Sequence, residues 1–128
     1  MIYIDSSAAL SQLMFESRSP PEALWKQPLV SSRLLEYEVW NRIHAYGLTA
    51  THGDDTRALL ALVNFVELIK PALVRALRPF PVSVRTLDAL HLATMDFLRS
   101  QGEAVELASY DSRLVAAAHA LGMPAAAL

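Results

Sequence analysis

Short β-prone runs that pass directly into helical segments recur along this sequence, and a chain built that way has few folds open to it. Ile2-Tyr3-Ile4 is apolar and ends at Asp5-Ser6-Ser7, after which Ala8 to Phe15 has helical composition up to Pro20-Pro21. Glu22 to Lys26 reads as a short helix, Leu29-Val30-Ser31 as a strand, and Ser32 as the N-cap of a helix running to about Gly47. Asp54 or Asp55 opens the next helix, in which Leu59, Leu60, Leu62, Val63 and Val66 recur at helical spacing, and Glu67 to Ile69 forms a short strand. Pro71 to Pro79 makes one more short helix between prolines. Ser83 or Thr86 caps a strong helix through about Arg99, which Gly102 closes. Val105 to Tyr110 is the clearest later strand, and Ser112 to Leu121 is an alanine-rich helix stopped by Gly122 and Pro124.

Parallel strands need crossovers long enough to hold a helix, so this alternation predicts an α/β fold, an α/β/α sandwich around a short-stranded, mostly parallel sheet. The length, 128 residues, suits one domain over 1–128. In such sheets ligands bind just beyond the carboxyl ends of the strands, where Asp5 and Asp111 are expected.

With 53% hydrophobic and 19% charged residues, the chain can bury a core and is not disordered or low-complexity. The absence of cysteine excludes disulfide scaffolds, zinc fingers and thiol nucleophiles, which leaves oxygen or histidine to hold any metal. A net charge of −2 supplies no polybasic footprint for bulk nucleic-acid binding. No leader stands at the N-terminus and no apolar run is long enough for a bilayer, so a cytoplasmic protein without a membrane association is expected.

Each candidate acid has a structural reading beside a functional one. Asp5 and Asp111 precede helices and could be N-caps. Glu38 stands four residues before Arg42 and could form an exposed helical ion pair. Glu36 faces elsewhere, because two residues turn a helix by about 200°. Asp88 sits early in its helix, where the dipole favours an acid, yet Leu87, Ala89, Leu90 and Leu92 make its surroundings strongly apolar. Asp96 follows Asp88 by about 800° of helix, and Asp54 and Asp55 are better read as an N-cap.

Tyr3-Ile4-Asp5-Ser6-Ser7-Ala8, Ser31-Ser32-Arg33-Leu34-Leu35-Glu36-Tyr37-Glu38, Leu87-Asp88-Ala89-Leu90-His91-Leu92-Ala93-Thr94 and Ser109-Tyr110-Asp111 together resemble the signature regions of the PIN-domain ribonucleases, most of all the VapC toxins of toxin–antitoxin pairs. Each motif alone is weak, but the ordered set spans essentially the whole chain. The resemblance implies that Asp5, Glu38, Asp88 and Asp111 are the catalytic, metal-binding acids, with Ser109 beside the last of them. It implies a toxin that is a metal-dependent endoribonuclease, an antitoxin whose C-terminal segment occupies a groove, and a homodimer.

The physics of such a set stands apart from the resemblance. Carboxylates held close together repel, and one pKa must rise unless a cation intervenes. Oxygen-only ligands suit Mg²⁺ or Mn²⁺, which would activate a water for in-line attack on a phosphodiester. RNA contact is expected from Arg42, Arg85 and Arg113, with Ser6 able to orient water or hold phosphate. Trp25, Trp40, Tyr37 and Tyr46 could stack bases, although helical spacing makes Tyr37 and Trp40 packing or interface residues. His91 is expected to be a packed or capping histidine, and His44, His52 and His119 lack metal-ligand spacing. A competing reading is a PIN-fold interaction module with little or no nuclease activity. An aspartate-nucleophile phosphatase is set aside, because it wants a second aspartate where Ser7 stands.

Overall fold

The computed structural model describes residues 1–15 and 17–128. Four parallel strands, β1 (Ile2–Ile4), β2 (Leu29–Ser32), β3 (Val63–Val66) and β4 (Glu106–Ala108), lie in the order β3-β2-β1-β4. Helices α1 (Ser6–Leu13), α2 (Leu34–Ala45), α3 (Thr49–Leu60), α4 (Lys70–Ala76), α5 (Thr86–Ser100) and α6 (Ser112–Ala120) connect and cover them. Glu22–Lys26 is a short 3-10 turn.

The period-2 alternation of the strands explains the layering. Ile2, Ile4 and Leu29 point into one core with Leu10, Leu35, Val39 and Leu59, while Tyr3, Val30 and Leu107 point into another with Leu92, Met95, Leu114 and Ala118. Burial on both faces explains the apolar runs Ile2-Tyr3-Ile4, Leu29-Val30 and Leu107-Ala108, while Ser31 and Ser32 are buried polar residues and Asn64 and Glu106 are exposed. The expected α/β/α sandwich is therefore present, with a sheet that is parallel throughout.

The main departure from expectation concerns residues 49–69. Helix α3 begins at Thr49 and ends at Leu60, so Asp54 and Asp55 lie inside it rather than at its N-cap, and Asp54 pairs with Arg57. Val63 and Val66 belong to β3, not to the helix, and the strand expected at Glu67 to Ile69 is absent. Val63-Asn64-Phe65-Val66 pairs in register with Leu29 to Ser32, a long-range contact that helical spacing in the sequence cannot register.

Chain order runs outward from β1 to β2 and β3, then returns to the other side of β1 for β4. Beyond the carboxyl ends of β1 and β4 the connections leave in opposite senses and open a crevice. Asp5 and Asp111 stand at its floor, one after each strand.

Candidate active site

The crevice is a cavity of about 400 Å³ whose lining includes Asp5, Ser6, Glu38, Asp88, His91 and Asp111, together with Arg42 and Arg85. The four acids expected from sequence thus come from four separate elements and share one hollow. Ser6, Arg42 and Arg85 join them there. Arg113 is exposed and is not part of that lining; its backbone N–H donates to Asp111 Oδ1.

Asp5 is only 4% exposed and is held by two local donors and one from the far end of the chain. Its Oδ1 accepts from the Ser7 hydroxyl at 2.7 Å and from the Ala8 N–H at 3.1 Å, and its Oδ2 accepts from the Ser109 hydroxyl at 2.5 Å. The residue is at once the N-cap of α1 and a wall of the cavity, so both readings of its sequence position apply. Burial pushes its pKa up, against the pull of these donors. Ser109 also accepts the Asp111 N–H at 2.9 Å. Ser109, itself buried, thus links the Asp5 carboxylate to the Asp111 backbone.

Asp111 likewise combines cap and site: its Oδ1 accepts from the N–H groups of Arg113 and Leu114, the first turn of α6. Asp88, in the first turn of α5, makes no hydrogen bond or ion pair with the described residues. Its pKa is raised, first by partial burial and then by the Asp111 charge, with Glu38 adding to the effect and Arg85 opposing it. The crowding of negative charge is thus visible at Asp88.

Glu38 does not form the helical ion pair with Arg42 that its spacing allowed. Its Oε1 lies 2.5 Å from His91 Nε2, and the Ser6 hydroxyl donates to its Oε2 at 3.5 Å. His91 is buried at 2% exposure, and its Nδ1 lies 2.7 Å from the Tyr3 hydroxyl, which accepts the Ser32 N–H at 3.1 Å. Burial raises the Tyr3 pKa far above the ordinary phenol range, so Tyr3 stays a hydroxyl. Donation from Tyr3 to Nδ1 leaves Nε2–H to donate to Glu38, an arrangement that satisfies every group in the chain. His91 is the packed residue that its sequence context suggested. Tyr3 was hidden in an apolar strand, and the available signal was that a buried phenol needs a polar partner.

Several other residues fall outside the cavity. Asp96 is held by Arg75 at 3.0 Å and Arg99 at 2.9 Å, and Glu36 faces Arg33 at 3.3 Å. Trp40 stacks on His44 and Trp25 donates to Gln12, while Tyr37 and Tyr46 are exposed and do not line the cavity.

No three of the described Asp, Glu and His side chains are placed to hold one ion together. Four carboxylates facing one hollow nevertheless fit a hard cation that keeps most of its waters, because such an ion needs only one or two direct carboxylates and can reach the others through water.

The parallel α/β fold that carries this cleft is shared with known proteins. The sequence model of the PIN domain family matches residues 2–120, and the chain belongs to that family. Within it, the chain groups with the VapC ribonucleases. It is 34% identical to Ribonuclease VapC46 of Mycobacterium tuberculosis over 125 residues, which is 95% of this chain and 93% of the relative. It is 33% identical to Ribonuclease VapC35 of the same species over 134 residues, 96% of this chain and 93% of that one. A toxin–antitoxin complex from Klebsiella pneumoniae contains a chain of the same fold, with a TM-score of 0.66, 21% identity and 91% of each chain covered.

Proposed function

We propose that this VapC-type protein is a Mg²⁺- or Mn²⁺-dependent endoribonuclease, the toxin of a type II toxin–antitoxin module. The observation that carries this reading is the meeting of Asp5, Glu38, Asp88 and Asp111 in one cavity. When bound there, a divalent cation would neutralise charge on a phosphodiester and activate a water for in-line displacement. Asp5 is the fixed member, since three donors set its carboxylate before any ligand arrives. Glu38 is steadied at one oxygen by His91 and presents the other on the Ser6 side. Asp88 feels the charge of Asp111, and a bound cation would relieve that repulsion. Arg42 and Arg85, which line the same cavity, would hold substrate phosphate beside the acids.

An antitoxin partner follows from the same reading, supported by the toxin–antitoxin complex with this fold and by apolar residues left in water, such as Phe15 and Leu77. A homodimer is part of the proposal.

The test is cleavage of RNA by purified protein stripped of any partner, with Mg²⁺, with Mn²⁺ and with a chelator. Asp5→Asn, Glu38→Gln, Asp88→Asn and Asp111→Asn should each abolish metal-dependent cleavage and leave the fold intact. Full activity in any two of them at excess metal removes the four-acid mechanism. Intact protein with no metal-dependent cleavage favours an interaction module.

A further inference from the structure

We propose that a second, smaller chamber beside the acid cleft binds an RNA backbone phosphate next to the one that is cut, with Arg18 as its principal anchor; the inference rests on the ribonuclease reading above. The chamber has a volume of about 310 Å³, near the lower end of ligand-site sizes, roughly 300–1,000 Å³, and suits one nucleotide-sized group. Ser6, Ser7, Arg42 and Asp111 line both it and the acid cleft, so the two hollows are neighbours across a common wall.

Their charges are opposite. The cleft gathers the four acids, whereas the chamber has two arginines, Arg18 and Arg42, and of those acids only Asp111 at the shared wall. Asp111 Oδ1 is already taken by the amides of α6. Arg18 and Arg42 form no ion pair with the described residues, while Lys26, Arg33, Arg57, Arg75 and Arg99 each have a carboxylate partner. Lys70, Arg78, Arg85 and Arg113 likewise form no ion pair with the described residues, but of these only Arg85 lines the cleft and none lines the chamber, so Arg18 and Arg42 are the cations the chamber has to offer.

Arg18 is also held in a particular posture. Its guanidinium carbon stands 4.7 Å from the centroid of the Tyr110 ring. Tyr110 lies between Ser109 and Asp111, and its N–H donates to the Ser7 hydroxyl at 2.9 Å, which ties the ring's backbone to the site. A guanidinium stacked on a ring keeps its N–H donors free at the edge, where they match two phosphate oxygens. Arg18 and Tyr110 also line a further hollow of about 470 Å³, so the stacked pair stands between two cavities. A polymer that carries one phosphate per nucleotide can place one in the cleft and its neighbour against Arg18. A free anion would have no reason to use both.

The experiment measures fluorescence anisotropy of a labelled RNA tetranucleotide on the full chain carrying Asp88→Asn to block cleavage. Arg18→Ala in that background should weaken binding about tenfold, the scale of charged hydrogen bonds. Arg18→Lys should recover part of the loss, and Arg57→Ala, outside both linings, should leave binding unchanged. The same RNA is then made with one uncharged methylphosphonate linkage at each position in turn. The loss caused by Arg18→Ala should vanish at one position and persist at the others. Undiminished binding by Arg18→Ala overturns the proposal, as does an equal loss at every position, which would mark general attraction. A labelled acidic hexapeptide that loses binding with Arg18→Ala while RNA does not would assign the chamber to a protein ligand instead. If the parent protein binds no RNA at all, the nuclease reading fails and the chamber fails with it; RNA binding that ignores Arg18 sinks the chamber alone.

Discussion

The imidazole of His91 joins Tyr3 to Glu38, with Nδ1 2.7 Å from the phenol and Nε2 2.5 Å from Oε1 of the carboxylate. A core side chain is thereby coupled to an acid of the cleft. Replacing His91 by Phe leaves the buried Tyr3 hydroxyl and the part-exposed Glu38 carboxylate without their partner and should destabilise the protein by about 1–3 kcal/mol, read from urea unfolding. A positioning role makes a second demand: the Mg²⁺ concentration for half-maximal cleavage should rise. His91→Gln, which can still donate, should recover part of that shift. An unchanged metal dependence in a folded His91→Phe variant would reduce the imidazole to packing.

Asp88 gives the pH dependence. Its folded-state pKa is raised, so the fold prefers the protonated acid and ionisation weakens it. The stabilising effect of the bound proton is present at low pH and is lost as pH rises from the ordinary value of 3.8 through the raised one. Metal-free Asp88→Asn should therefore melt at a higher temperature than the parent at pH 7, and the gap should close toward pH 4. A lower melting temperature for the variant at neutral pH would contradict the crowding of charge at this position. Added Mg²⁺ should raise the melting temperature of the parent more than that of the variant.

Asp111 separates its two duties by substitution. Asn remains a good N-cap, so Asp111→Asn should change stability by only a few tenths of a kcal/mol, whereas Asp111→Ala should cost about 1 kcal/mol. Both should lose about a hundredfold or more in cleavage, because neither supplies the charge. Denaturant midpoints and initial rates on the same preparations test the split.

Glu36 provides the contrast within the same helix. It pairs with Arg33 at a half-exposed site, and Glu36→Gln should alter stability by no more than about 0.5 kcal/mol and leave the cleavage rate unchanged. A large loss of rate would mean that the glutamate role had been assigned to the wrong residue.

The layers and the cleft were legible because both depend on local pattern: apolar strand, then acid, then helix, at Ile2–Ser7 and again at Val105–Ser112. The stretch from Thr49 to Ile69 was not. Gly53 sits within α3, where it looks like a breaker, yet it is buried there. Leu59 to Val66 shows one apolar rhythm across two elements, and only pairing with β2 makes Val63–Val66 a strand. Asp5 and Asp111 could be read from their strand-end positions, and the resemblance to the PIN-domain ribonucleases singled out Glu38 and Asp88 beside them. The hydroxyl brace of Ser7 and Ser109 behind Asp5, the Tyr3–His91–Glu38 chain and the Arg18–Tyr110 stack could not, because each depends on distances between elements far apart in the chain.

The strand order also fixes when the cleft comes into being. Asp111 is delivered by β4, which is made after the rest of the sheet but docks against β1, the first strand to emerge. During synthesis, a ribosome-tethered chain that has reached only α5 carries three of the acids and lacks the strand that seats the fourth. Competence would arrive late and at once, when the newest strand closes onto the oldest, so a prematurely terminated product should be harmless to the cell that makes it.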